Sequence, residues 1–573
     1  MRKSASLLLA VLLLSAQFVW AQNKTVIGKI TDTKDGTPIA GATIMAKGSK
    51  SGTVSNSDGT FSLSFPESAK ILVISAVGFE TQEVNISGSS VQVAMKAGQP
   101  KTLDEIIVTG YGTKIKKDLT GNIARVKGTE VANMPVPNFT QALQGRAAGV
   151  FVEANNGKVG EGVKVRIRGA GSITASNDPL YVVDGVPINT ESLSGNPLAD
   201  INFNDIETFD ILKDASAAAI YGSRAAGGVV LITTKKGRAG RTNLNVNVQY
   251  GINKPTHYRG FLNAEEYVDL LLEAALNSDV IDGVSPTDPD SWTVFAQSRL
   301  NRYSGYSNWR NLETNTNWEK LAFKETSRTT LIDVTASGGS DKTRFYISGG
   351  FNDQDGILIL NNFRRMSSRF NLEHDASDRV KLGFNMSVSR TEGNRNNLDN
   401  AFQTPMQLVA LAPITPPRDL NGVFYDRPVT TYYNGLIETV NSKYKSTTFR
   451  NIGNIFLSYK LIKNLQLRTE FGADIQNQND ELFRGSRTFT GLSTNGYASS
   501  TWYRVVNINT NNYFNYTLSK GKHDLDATGG MSYQKFTTEM TSVTGEDFPT
   551  DDLQRLASAG RITGGSSSIT ESA

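Results

Sequence analysis

From Arg241 onward, polar and apolar residues alternate with a period of two over segments longer than ordinary sandwich strands. Val380, Leu382, Phe384, Met386 and Val388 alternate with Lys381, Gly383, Asn385, Ser387 and Ser389. In a later segment Leu465, Leu467, Phe471 and Ile475 share one face, while Gln466, Arg468, Glu470 and Asp474 share the other. Two is the period of a β-strand. Charges along a whole face predict a wet inner surface, with the apolar face turned outward. A tilted strand of about 9–11 residues crosses an outer membrane, and these segments are that long or longer.

Connection lengths sharpen this reading. Nine candidate strands centre near residues 247, 335, 347, 369, 385, 455, 470, 510 and 530. The joins Ser340-Asp341-Lys342, Ser377-Asp378-Arg379, Lys463-Asn464 and Gly521-Lys522 are tiny. Those between them are longer, and two, near 253–328 and 391–446, are very long. Strict alternation of short and long joins is the pattern of a transmembrane β-barrel with tight turns on one rim and long loops on the other. Residues 263–276 read as a helix inside the first long connection.

Composition excludes several alternatives. The chain has 573 residues, enough for three or four ordinary domains. Lys+Arg 59 against Asp+Glu 55 gives +4, too little for a dedicated nucleic-acid binder. With 5 Trp, 19 Tyr and 26 Phe the chain is too aromatic for a disordered protein. The absence of cysteine excludes a disulfide scaffold, zinc-thiolate sites and a cysteine nucleophile. His257, His374 and His523 are scattered, so a histidine-rich metal centre is not expected.

The start reads as a secretory signal over residues 1–21. Arg2 and Lys3 are basic, residues 7–14 are apolar, and Val19-Trp20-Ala21 offers small residues at the cleavage positions. The apolar run is too short to span a bilayer as a helix. No cysteine follows the cut, so no lipoprotein is expected.

Residues 22–98 show short strands and regular turns, a small β-sandwich by pattern. Ile71-Leu72-Val73-Ile74-Ser75 is apolar throughout and is expected to be a central strand. Asn56, Asp58 and Gly59 mark a hairpin turn and lack the further carboxylates a calcium loop needs. Gly28-Lys29-Ile30-Thr31-Asp32, Pro38-Ile39-Ala40-Gly41-Ala42 and Ser57-Asp58-Gly59-Thr60-Phe61 resemble the carboxypeptidase-regulatory-like sandwich. That likeness names a fold and implies no peptidase activity.

Next comes a β-prone run, Thr102-Leu103-Asp104-Glu105-Ile106-Ile107-Val108-Thr109-Gly110-Tyr111. The residues alone fit two roles equally: a last sandwich strand, or a strand held free to join a partner's sheet edge. Residues 114–240 then mix α and β. Residues 140–147 read as a short helix. Val163-Lys164-Val165-Arg166-Ile167-Arg168 alternates strictly, with its basic face solvated. An alanine-rich helix is expected over residues 214–221, with Asp214 as N-cap. The glycine-rich stretch at 222–228 follows a helix and lacks the Gly-Lys-Ser/Thr ending of a phosphate loop.

Two long stretches carry a close resemblance. They are Asp178-Pro179-Leu180-Tyr181-Val182-Val183-Asp184-Gly185-Val186-Pro187 and the run from Leu212-Lys213-Asp214 through Tyr221-Gly222-Ser223-Arg224 to Lys236-Gly237. Lys342-Thr343-Arg344-Phe345-Tyr346-Ile347-Ser348-Gly349-Gly350 and Leu262-Asn263-Ala264-Glu265-Glu266-Tyr267 agree with it. The chain resembles the SusC/RagA-type TonB-linked outer-membrane transporters. The fold class this implies is mainly β: an N-terminal β-sandwich at 22–98, a linker at 99–113, an α+β plug domain at 114–240, and the first part of an antiparallel transmembrane β-barrel at 241–573.

The resemblance makes Leu103, Asp104, Glu105, Ile106, Ile107, Val108 and Thr109 the TonB box, the segment that a free strand would supply. It makes Tyr181, Asp184, Gly185, Lys213, Asp214, Tyr221, Gly222 and Arg224 the plug signature. Expected partners are TonB with ExbB–ExbD, a SusD-type surface lipoprotein, outer-membrane lipid, and an oligosaccharide or peptide substrate. The expected site is the outer membrane of a Gram-negative bacterium. No cofactor, metal or catalytic residue is expected, and no Ser/His/Asp set, Cys/His set or carboxylate pair at recognisable spacing supports an enzyme. The alternative function is a non-transporting outer-membrane binding protein or adhesin. The family's barrels have 22 strands, so nine strands read as a fragment or a truncated product.

Overall fold

The protein is described from a computed structural model over residues 23–49, 51–67, 69–97, 106–109, 112–115, 123–131, 143–154, 157–169, 171, 173, 177–188, 198–214, 218–394, 406–424, 433–521 and 523–572. The expected signal at 1–21 and Leu103, Asp104 and Glu105 lie outside the described residues. The chain forms two compact units, one reaching Ile106 and the other holding most of the chain beyond it.

The first unit is a two-sheet sandwich. Its strands are β1 (Asn23–Asp32), β2 (Thr43–Ala46), β3 (Gly52–Val54), β4 (Thr60–Pro66), β5 (Ile71–Ser75), β6 (Gln82–Asn85) and β7 (Ser90–Met95). One sheet runs β4-β1-β7 and the other β3-β2-β5-β6, so β5 is an interior strand as its sequence indicates. Inward residues alternate along each strand and meet in one core, with Val26, Ile30, Ile44, Phe61, Leu63, Phe65, Leu72, Ile74, Val93 and Met95 buried. Gly28 marks the tightest approach: a Cβ there would stand 2.3 Å from the Val91 carbonyl oxygen and 2.5 Å from the Phe61 ring. The Asp58 carboxylate turns back to accept from the Thr60 backbone N–H (3.0 Å) and Oγ1 (2.7 Å), which closes the turn and holds its pKa below the ordinary value.

Strand β8 (Ile106–Thr109) belongs to neither sandwich sheet. It forms a two-stranded sheet with β9 (Gly112–Ile115), so the strand expected to be free is one arm of a hairpin.

The second unit begins with mixed α and β structure. Strands β10 (Ile123–Lys127), β11 (Val150–Ala154), β12 (Val163–Ile167), β13 (Leu180–Val183), β14 (Val186–Ile188), β15 (Ile206–Leu212) and β16 (Val229–Thr234) make a five-stranded sheet, β10-β15-β16-β13-β14, and the β11-β12 pair. Val126, Val152, Val165, Val183, Phe203, Phe209, Ile211, Val230 and Ile232 are among its core residues. Between β13 and β14 lies a two-residue turn with Asp184 at φ 47° and Gly185 at φ 88°. Positive φ at both positions is the demand of a type I′ hairpin, and Asp-Gly meets it at least cost.

Of the helix expected at 140–147, residues 140–142 lie outside the described residues and residues 143–147 form turns and a bend. Of the alanine-rich stretch, residues 215–217 lie outside the described residues; the Ala218 N–H donates to the Asp214 carbonyl at 3.0 Å, the bond of an α-helical turn, and Ala219–Gly227 is 3₁₀ helix interrupted at Gly222 (φ 68°, ψ −155°). A residue in that conformation cannot continue a right-handed helix, so the break falls just past Tyr221, where the expected helix ends.

A single antiparallel sheet of ten strands comes next, in sequence order: β17 (Gly240–Asn253), β18 (Ser327–Gly339), β19 (Thr343–Asp355), β20 (Asn362–Asp375), β21 (Val380–Asn394), β22 (Ser442–Ile462), β23 (Leu465–Arg484), β24 (Tyr497–Lys520), β25 (His523–Glu546) and β26 (Arg561–Ser572). The expected nine strands are all present, and β26 is a tenth. Its Ser- and Gly-rich sequence carries no apolar alternation, yet it pairs with β25 from Phe536↔Ser572 to Glu546↔Arg561. Among the described residues the sheet is open, with β17 and β26 as its edges. Short joins and long joins alternate strictly, so all five long connections leave one rim. At about 3.3 Å per residue the 24-residue strands β24 and β25 reach roughly 80 Å, far beyond a 25 Å apolar band. The first long connection contains the expected helix, Ala264–Asp282, closed by an Asn263/Glu266 capping box. It also contains a second helix, Trp292–Tyr303, beyond the one expected.

This sheet is inside out relative to a water-soluble one. Leu382, Phe384 and Met386 on β21 and Leu467 and Phe471 on β23 are exposed, whereas Asn385, Ser389, Glu470 and Asp474 between them are buried. Among the described residues no helix is long and apolar enough to cross a membrane, which says nothing of strands.

Candidate functional site

The buried polar face of the ten-stranded sheet encloses the mixed domain, and their contact is built from ions and amides. Three arginines on sheet strands dominate. Arg450 on β22 is 1% exposed and donates from Nε (2.8 Å) and Nη2 (2.7 Å) to the two carboxylate oxygens of Asp474 on β23, which is also 1% exposed. Its Nη1 stands 3.6 Å from Asp200 of the enclosed domain. Asp200 also accepts from Thr391 Oγ1 at 2.9 Å. Burial raises the Asp200 pKa above the ordinary carboxylate value, and Arg450 acts in the opposite direction.

Arg365 on β20 donates to the Ala199 and Ile201 carbonyls, each at 2.9 Å. Beside it Asn202 and Asn204 donate to the two oxygens of Asp333 on β18, at 2.7 and 2.5 Å. Arg369, further along the same inward face of β20, donates from Nη1 to Asp184 Oδ2 (3.1 Å) and Thr234 Oγ1 (3.2 Å). Tyr346 on β19 closes this group by donating to Asp205 at 2.9 Å.

The Asp184-Gly185 turn is gripped at several points. The Asp184 carboxylate accepts from the Thr234 backbone N–H (2.9 Å) and Oγ1 (2.7 Å). Its carbonyl accepts from Asn454 Nδ2 on β22 at 2.5 Å, the Gly185 carbonyl from Asn509 Nδ2 at 3.5 Å, and the Pro187 carbonyl from Asn507 Nδ2. At the far side Asn361 accepts from the Val159 N–H at 2.8 Å. Each of these bonds is made where water is scarce, so losing one partner leaves a buried polar group unsatisfied.

The signature residues marked in the sequence fall in different places. Tyr181 is a buried core residue whose phenol burial pushes up in pKa. Asp184 and Gly185 form the gripped turn. Lys213 donates to the Ala148 carbonyl at 2.5 Å, and Asp214 lies 2.5 Å from Arg168, which sits just past β12 at φ 60°. Tyr221 packs on a small cluster with Val182, Leu212 and Leu231, Gly222 makes the kink, and Arg224 donates to Gln534 on β25. Of the box, Ile106, Ile107, Val108 and Thr109 form β8. Arg365, Arg369, Arg450, Asp200, Asn202, Asp205, Asp333 and Thr234 are contact positions that the sequence pattern does not single out. Its one signal for the arginines is inward-facing charge on period-two strands, which fits a water-lined wall as well as it fits a docked domain.

Above this contact, at the rim with the long connections, is a cavity of about 610 Å³. All five connections line it, through Lys324, Asn361, Tyr433, Phe489 and Gln554 respectively.

Comparison with known proteins agrees with this geometry. Residues 115–229 match the TonB-dependent Receptor Plug Domain, and residues 26–108 match the CarboxypepD_reg-like domain. The chain is 33% identical to TonB-dependent receptor P3 of Formosa agariphila over 97% of its own length and 52% of that protein's. It is 30% identical to TonB-dependent receptor SusC of Bacteroides thetaiotaomicron over 94% of its length and 52% of that protein's. The chain is of the SusC type of TonB-dependent receptor. A solved structure of the RagAB peptide importer superimposes on this SusC-type chain with a TM-score of 0.66 and 27% identity, covering 79% of it and 52% of the other. The SusC-type chain thus spans about half the length of the curated relatives it matches. The enclosed domain with its latched Asp184 turn is the plug, and the ten-stranded sheet is barrel wall.

Proposed function

We propose that the whole protein imports a bulky nutrient, an oligosaccharide or a peptide, across the outer membrane of a Gram-negative bacterium, powered by TonB and acting with a SusD-type lipoprotein. The observation that carries this is a plug held inside an inside-out sheet by reversible polar contacts, directly downstream of a β-prone segment. Ions and hydrogen bonds can be exchanged for water one at a time, whereas a dry apolar plug interface could not open without a large cost.

The domain division that supports this reading is a signal at 1–21, a sandwich at 22–98, a linker with the TonB box at 99–113, the plug at 114–240 and barrel from 241. TonB, held in the inner membrane with ExbB–ExbD, adds Leu103, Asp104, Glu105, Ile106, Ile107, Val108 and Thr109 to its own sheet edge by β-augmentation. For this, β8 must leave β9. Two short strands are marginally stable alone, so the exchange is accessible. Force along the bound strand then reaches β10, the edge strand of the plug sheet, and displaces part of the plug. No covalent step, cofactor or catalytic residue enters this mechanism.

Deleting residues 103–109 tests it. Uptake of a labelled nutrient should fall to background while surface binding stays at the wild-type level. Undiminished uptake by the deletion variant would overturn the reading.

A further inference from the structure

Two glycines on the inward face of the wall stand where plug side chains settle. Tyr346, Ser348, Asn352 and Gln354 are buried on β19, so the period of two turns Gly350 inward with them. Gly472 lies likewise between buried Glu470 and Asp474 on β23. Neither has the positive φ that by itself calls for glycine. Space calls for it instead. A Cβ on Gly350 would stand 2.7 Å from Asn202 Nδ2 of the plug, 2.8 Å from Ser367 Oγ and 3.1 Å from Asp333 Oδ1. A Cβ on Gly472 would stand 2.8 Å from Val186 Cγ2 of the plug and would collide with the Asn509 amide oxygen.

The strand register puts each glycine in the middle of a row that grips the plug. Asn454, Gly472 and Asn509 are direct cross-strand neighbours on β22, β23 and β24. The two outer amides donate to the Asp184 and Gly185 carbonyls, and Val186 fills the space over the glycine between them. Asp333, Gly350 and Ser367 form the same kind of row on β18, β19 and β20. There Asp333 accepts from Asn202 at 2.7 Å while the Asn202 amide lies against Gly350. An inward glycine need not belong to the plug: at Gly383 the space is taken by the ring of Phe456 on the next wall strand. Gly349, beside Gly350 but on the outward face, leaves open space around a Cβ.

We propose that Gly350 and Gly472 are positioning residues for the plug. The missing side chain sets how deeply the Asp184-Gly185 turn and the Asn202 loop settle on the wall, and so decides whether the flanking groups reach them. A methyl at either position lifts the plug where packing leaves no slack, and the polar contacts beside it lengthen together. Glycine in a strand interior weakens the strand, so both positions give up strand stability for this fit.

Hydrogen exchange read by mass spectrometry on the purified full-length protein in detergent tests this. Gly472→Ala should speed exchange across residues 181–188 by about ten-fold or more, and Gly350→Ala should do the same across residues 198–205. Gly349→Ala should leave both segments at the parent rate, since its methyl has open space. A reciprocal pair separates fit from general damage. Val186→Ala alone opens a gap in the plug core and should speed exchange. Combined with Gly472→Ala it removes the atom that meets the new methyl, so the double variant should exchange more slowly than Gly472→Ala. If Gly472→Ala does not assemble, restored assembly in the double variant supports the proposal and continued failure overturns it. Parent-like exchange in either glycine variant, an equal effect of Gly349→Ala, or a double variant that exchanges faster than Gly472→Ala would also overturn it. Neither TonB nor a substrate takes part, so the outcome is independent of the import reading.

Discussion

Arg450→Met should loosen the plug's attachment to the barrel wall. The substitution keeps an unbranched side chain of similar reach and removes its charge, stranding Asp474 and Asp200, both nearly inaccessible to water. Removing one partner of a buried ionic cluster costs ~3–5 kcal/mol, because the remaining charge has no solvent. Asp474 loses both of its bonds from Arg450, at 2.8 and 2.7 Å, and Asp200 loses the cation 3.6 Å away. The expected result is faster proteolysis of the plug and a lower unfolding midpoint in detergent. Adding Asp474→Asn and Asp200→Asn to Arg450→Met should restore most of the loss, since the uncharged set no longer has a buried carboxylate to desolvate. A single variant as stable as the parent would show that this cluster does not hold the plug.

The second large effect belongs to the outer face. Phe384 and Phe471 are 36% and 51% exposed, on strands whose opposite faces are buried against the plug. If that outer face meets lipid, Phe384→Arg or Phe471→Arg should each cost ~2–4 kcal/mol near the bilayer midplane. Together they should abolish assembly into lipid vesicles, read as loss of the heat-modifiable folded band. Phe384→Leu is the control and should assemble normally. Efficient assembly of the double arginine variant would mean that this face does not meet lipid.

Whether a feature is legible in the sequence depends on how local its causes are. Nine wall strands are visible because alternation is local: Leu382, Phe384 and Met386 announce their face without any neighbour. Strand β26 is not, because Gly564, Gly565, Ser566, Ser567 and Ser568 have no apolar face, and the strand exists through its ladder with β25. The turn Asp184-Gly185 is readable as a chain reversal, since its chemistry is that of two adjacent residues. What it contacts is not: Asn454 and Arg369 lie 270 and 185 positions away. The same holds for Arg450, whose role depends on Asp200 of another domain. The helix expected at 214–221 is legible for the same local reason as the wall strands: the Ala218 N–H reaches back to the Asp214 carbonyl, and Gly222 marks the break just past Tyr221.

The cavity is invisible in the sequence for a related reason. Its lining comes from five connections and the strand ends beside them, spread over more than two hundred residues, so no single local pattern marks it. The box lies at the other extreme. Ile106, Ile107 and Val108 read as a strand from composition alone, and their role as a handle rests on which partner's edge they join.

The most direct test of energised import uses cells carrying the full-length protein and a labelled nutrient that they accumulate only when the intact gene is present. Accumulation and surface binding are measured before and after the proton gradient is dissipated, in the parent and in the variant lacking residues 103–109. Dissipation should reduce accumulation in the parent to the level of the deletion variant, while binding is equal in all four conditions. Accumulation that continues without the gradient, or in the deletion variant, would contradict energised import through this protein.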